Sequence, residues 1–102
     1  MDATTDGDTL VLKGCLDGRA TGLVRERLHD LMSTDHDLVV VEMTAVEYVD
    51  VTGMTMLAAA SKMMERNGRR LVLRGCSPSL RRIIAFTRVR SLLLVEREAA
   101  GA

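Results

Sequence analysis

The sequence predicts an α/β sandwich with a mostly parallel sheet of four to five strands and helices packed against it. Short β-branched apolar runs, residues 38–43 above all, alternate with stretches whose apolar residues recur at helical spacing. Gly, Pro or Asp stands at most of the junctions, and the resulting β-α-β-α-β-α-β order calls for right-handed crossovers between parallel neighbours. With 102 residues, 47% of them hydrophobic, the chain fills one modest core, so a single domain over 1–102 is expected. Its core spans about 8–96, and 97–102 form a loose tail.

Residues 9–13 alternate into Gly14, Cys15 and Leu16 and end at Asp17-Gly18, a strand followed by a turn. Apolar residues at 20, 23, 24, 28, 31 and 32 then mark an amphipathic helix, with Arg25, Glu26, Arg27 and Asp30 on its other face. Residues 33–37 are a polar loop before the strand at 38–43. After it, a short connection bearing Tyr48 as a half-buried anchor leads to Asp50, which caps a helix running from Thr52 to about 66 and stopped by Asn67-Gly68. Residues 70–74 form a third strand. Ser77 and Pro78 open a third helix with Leu80, Ile83, Ile84 and Phe86 as its buried stripe, and residues 92–95 form an edge strand.

Composition removes several functions. With one Tyr, one Phe and no Trp there is no platform for stacking bases, so single-stranded nucleic acid is disfavoured. No apolar stretch approaches the roughly 20 residues of a spanning helix, and residues 1–6 lack the regions of a signal peptide, so a cytoplasmic protein is expected. Net charge is zero, yet residues 1–51 carry −7 and residues 52–102 carry +7. In a compact fold the halves interleave; a bipolar surface that orients a partner is the sharper alternative.

No catalytic grouping is apparent. His29 and His36 lie in and just after a charged helix, and Gly14, Gly18 and Gly22 do not have the spacing of a phosphate loop. Cys15 and Cys76 have no second pair and so make no zinc site; no metal or cofactor is expected. If the strand at 38–43 lies between the strands that carry them, their separation is about 9.5 Å, too far for a disulfide. A redox switch through Cys15 and Cys76 stays open.

The acidic-polar-glycine elbow is where function concentrates. Asp50 ahead of a helix whose first turn holds Thr52 and Gly53 sets free N–H groups and the positive end of a macrodipole beside a hydroxyl. Each residue also has a purely structural role open to it: Asp50 as an N-cap, Thr52 bonding its own backbone, Gly53 for close packing of helix on sheet, and Met54, Met56, Met63 and Met64 as core filler or an adaptable contact surface.

Residues 39–54 resemble the signature of the STAS domain, the module of sulfate transporters and anti-sigma factor antagonists. Residues 13–17, Asn67-Gly68, residues 71–73 and residues 77–84 follow in the order of that family, and the likeness covers roughly 8–96. The resemblance implies an antagonist that binds an anti-sigma factor with a GHKL-type serine/threonine kinase domain and so frees a sigma factor. Phosphorylation after the elbow Asp would eject it and a phosphatase would restore it. The partner-binding residues implied are Asp17, Asp50, Val51, Thr52, Gly53, Met54, Cys76 and Ser77. The protein would not be an enzyme, and a nucleotide at the helix terminus near Thr52 would modulate rather than react.

One departure is decisive. The usual acceptor directly follows the Asp, and here that residue is Val51, without a hydroxyl. Either Thr52, about 100° further round the helix, takes the phosphate, or binding is constitutive. A scaffold role in a transport or signalling complex without phosphorylation is the alternative. A monomer is expected, or a weak homodimer through an exposed edge strand.

Overall fold

The computed structural model describes residues 1–86 and 94–95. Its elements are β1 (Asp2–Asp6), β2 (Thr9–Leu16), α1 (Thr21–Met32), β3 (Leu38–Val49), α2 (Val51–Arg66), β4 (Arg70–Arg74), α3 (Pro78–Phe86) and β5 (Leu94–Val95). The strands form one sheet in chain order, β1-β2-β3-β4-β5. β1 and β2 are antiparallel, and each later strand runs parallel to the one before it.

In a sheet of parallel strands in chain order, crossovers of the usual right hand put their helices on one face. Packing agrees: Leu10, Leu12, Val39, Val41, Met43, Leu71 and Leu73 from the strands share a single core with Val24, Leu28, Leu57, Met64, Leu80 and Ile84 from the helices. Val40, one residue out of phase, is buried yet stands outside that core, on the opposite face. The expectation of a mostly parallel sheet therefore holds.

Four details differ from the sequence expectation. β1 was not foreseen, because Asp-Ala-Thr-Thr-Asp has no apolar pattern; it is held by pairing with β2, Asp2 opposite Lys13 and Thr5 opposite Leu10, with Ala3 against the core. The expected tyrosine-bearing connection is strand instead. β3 continues to Val49 because β2 pairs with it beyond Glu42, Cys15 facing Tyr48 and Leu16 facing Val49, with two register shifts. Tyr48 in consequence is 57% exposed rather than half-buried. In α3 Leu80 and Ile84 are buried but Ile83 is half exposed, since it falls outside the stripe that meets the sheet. The Phe86 side chain, residues 92 and 93 of the expected edge strand, and the tail at 97–102 lie outside the described residues.

Helix ends follow the expected chemistry. Ser77 Oγ accepts from Leu80 N at 3.0 Å, with Pro78 in the first turn. α1 is closed from a distance: the Arg69 guanidinium donates to the carbonyls of Met32 at 2.6 Å, Thr34 at 2.9 Å and His36 at 3.3 Å. Carbonyls at a helix C-terminus lack partners within the helix: His29 O and Leu31 O accept from Ser33 and Thr34, and Arg69 supplies Met32 O and the turn that follows.

Candidate functional site at the elbow before α2

The C-terminal ends of the parallel strands β2 and β3 lie side by side, and the chain leaves both toward a helix. Asp50 N donates to Leu16 O at 3.0 Å, the last link between the two strands. Asp50 then caps α2 from extended backbone (φ −89°, ψ 179°): Oδ1 accepts from Gly53 N at 2.8 Å. Its second oxygen, Oδ2, accepts from Gly18 N at 3.1 Å, across 32 residues of sequence. One carboxylate thus fastens the start of α2 to the loop after β2.

Asp17 is committed in the same way. Oδ1 accepts from Arg19 N at 3.0 Å and Ala20 N at 3.1 Å, while its carbonyl accepts from Ala20 N and Thr21 N. This Asx turn starts α1. Gly53 serves contact between backbones: a Cβ there would stand 2.6 Å from Leu16 O and 2.8 Å from Leu16 Cγ. Of the structural roles left open by the sequence, close packing is the one Gly53 fills.

The two residues between Asp50 and Gly53 have no such duty. Val51 is 82% exposed, an unusual placement for a valine, and Thr52 is exposed beside it. Among the described residues the Thr52 hydroxyl makes no hydrogen bond, so it does not bond back to its own helix. The first turn of α2 contains no acidic residue, leaving the positive end of the helix offset by Asp50 alone. Tyr48 and Cys15, paired across β3 and β2 and both exposed, extend an apolar margin along the same end of the sheet. Tyr48 and Gly18 are the participants that sequence reasoning missed. Tyr48 needed the strand to be traced to Val49, and Gly18 is signalled only by its turn with Asp17.

Three expected surface residues are not on the surface. Gly53, Met54 and Cys76 are buried, the last two because they face the shared core. Ser77 is exposed, but its hydroxyl is taken by the cap of α3. Burial pushes the Cys76 thiol from its ordinary value near 9 up to about 11; Glu42 adds to the rise and Arg81 opposes it. A buried thiol that resists ionisation is a poor redox partner. Cys15 and Cys76 are both free and sit on β2 and just after β4, with β3 between them. Of the methionines named above, Met54, Met56 and Met64 fill the core, whereas Met63 is exposed.

Among the described residues there is no cluster of His, Cys, Asp or Glu able to hold a metal ion, and no helix long and apolar enough to cross a membrane. The STAS domain family model matches residues 1–102. The chain belongs to the STAS domain family. No curated protein sequence matches it. Similar solved structures include a Thermotoga maritima protein assigned as an anti-sigma factor antagonist (TM-score 0.77, 13% identity, 98% of this chain and 88% of that one). The anti-sigma factor antagonist SpoIIAA in its unphosphorylated form follows (TM-score 0.71, 17% identity, 98% and 90%). So does the STAS domain of a SulP transporter from Vibrio cholerae (TM-score 0.66, 12% identity, 97% and 80%). Identities this low establish a common fold, so the role of this STAS domain is argued from its own elbow.

Proposed function

We propose that this STAS domain is an anti-sigma factor antagonist that docks on a GHKL-type anti-sigma factor kinase in the cytoplasm through the exposed first turn of α2, freeing a sigma factor. The observation that carries the reading is the division of labour at the elbow: Asp50 and Gly53 are consumed by the fold, and Val51 and Thr52 stand free between them. Val51, with the exposed Tyr48 and Cys15 at the same end of the sheet, offers a partner apolar surface to cover.

In this reading Thr52 is the phosphate acceptor. A phosphate there adds about −1.5 to −2 charges one residue from the edge of the docking surface and two residues from the Asp50 carboxylate. The helix terminus tolerates that charge, whereas an interface desolvated around Val51 does not, so the complex separates while the fold stays intact. A phosphatase resets it. The partner switch acts without metal or cofactor, and the antagonist performs no catalysis of its own.

The chain acts as a monomer. Pairing of β1 with its counterpart in a second, antiparallel copy would bring Asp2 toward Asp6 at both ends of the ladder, like charges that discourage the contact. Val51 also favours a second reading, a scaffold that binds without being phosphorylated.

The test is incubation of the protein and of Thr52→Ala with the host's GHKL-type anti-sigma kinases and ATP, read by intact mass. One added phosphate that is lost in Thr52→Ala supports the switch. Tight binding with no phosphate supports a constitutive antagonist. Binding to none of these kinases sinks the antagonist reading and leaves the scaffold.

A further inference from the structure

A second feature lies away from the elbow, between α1 and α2, where a groove of about 230 Å³ opens on the surface. Its floor is Leu28 and Met56, both buried. Ala59 and Ala60 keep one side low, and Met32 and the exposed Met63 form flexible walls. At the rim stand Arg25 and His29, one helical turn apart on α1.

The charge of the lining is one-sided. It includes two nitrogen-bearing side chains and no carboxylate, although the same helices carry Glu26, Asp30 and Glu65. Arg27 lies 3.9 Å from Glu26, whereas Arg25 has no ion pair among the described residues. An apolar trough that ends in an unpaired guanidinium suits a ligand with a hydrocarbon body and an anionic head. The volume is that of about eight groups the size of a water molecule in the liquid, at roughly 30 Å³ each.

We propose that this groove binds a medium-chain alkyl carboxylate, its chain over Leu28 and Met56 and its head on Arg25, with His29 as a second donor. Guanidinium and carboxylate match in a planar, two-bond geometry, and thioether walls adapt to a flexible chain. A partner helix fits less well, because such helices seat several anchors in a row and the groove holds one.

Octanoate is the probe, titrated into protein carrying ¹³C-methyl methionine. The methyls of Met32, Met56 and Met63 are expected to shift and saturate with a Kd on the order of 1 mM, the strength a ligand of about ten non-hydrogen atoms reaches. Met43 and Met64, in the core, should stay still. Arg25→Gln should weaken octanoate about fivefold and leave 1-octanol unaffected, and Ala59→Leu, which fills the groove, should abolish both. Shifts that fail to saturate or that spread over all the methionines overturn the proposal. So does an equal response to octanoate and octanol, which would mark a plain apolar seat better suited to a partner's side chain.

Discussion

At the C-terminal end of α2 the polar groups of Asn67, Gly68 and Arg69 turn back on the fold, whereas the N-terminal end leaves two side chains with nothing to hold. Asn67 Nδ2 donates to Met63 O at 3.0 Å, Gly68, at φ 71°, donates to Glu65 O, and Arg69 reaches the last carbonyl of α1 and two in the loop after it. At the other end Asp50 and Gly53 are equally committed, but Val51 and Thr52 are not. A helix that needed only stability would close both ends alike. The asymmetry separates residues that build the elbow from residues the elbow displays.

That separation can be broken at either end. Gly53→Ala drives a methyl group into Leu16 and should destabilise the domain by about 2–3 kcal/mol, measured by urea unfolding. Arg69→Ala takes the donor from Met32 O, the last carbonyl of α1, and from His36 O in the loop after it, and should cost about 2 kcal/mol. Asp50→Ala removes the cap and the bond to Gly18 for a loss of about 1–2 kcal/mol, and Asp50→Asn, which keeps one acceptor, should lose less.

A smaller effect of opposite sign is expected within the helix. Ser61 is fully buried and its hydroxyl has no hydrogen-bond partner among the described residues, so Ser61→Ala should raise stability by about 1 kcal/mol. Alkaline pH gives a further check. With the Cys76 thiol raised to about 11 when folded, the unfolded chain ionises first, so stability should fall between pH 9 and 11 and Cys76→Ala should flatten that fall. A thiol reagent at neutral pH should label Cys15 well before Cys76.

Much of this was legible in the sequence for identifiable reasons. Strands β3 and β4 are apolar runs, α2 is bounded by Asp50 and by Asn67-Gly68, and Ser77-Pro78 marks the start of α3. What stayed hidden depends on partners far away in the chain. β1 is polar and exists because β2 pairs with it, the second half of β3 is held by residues 13–16, and the second hydrogen bond of Asp50 goes to Gly18. The elbow was placed from its motif, but which of its residues were free required burial. Gly53 and Met54 lie within the motif and are buried; Val51, the residue that departs from the family pattern, is the most exposed of the large hydrophobic side chains described.

The most direct measurement is the affinity of Val51→Asp for the GHKL-type kinase that binds the wild-type protein, taken together with its thermal midpoint. If the first turn of α2 is the docking surface, binding weakens at least about tenfold while the midpoint moves by no more than about 2 °C. Unchanged affinity in a folded Val51→Asp protein would contradict the account, because the exposed apolar residue of the elbow would then have no part in the contact.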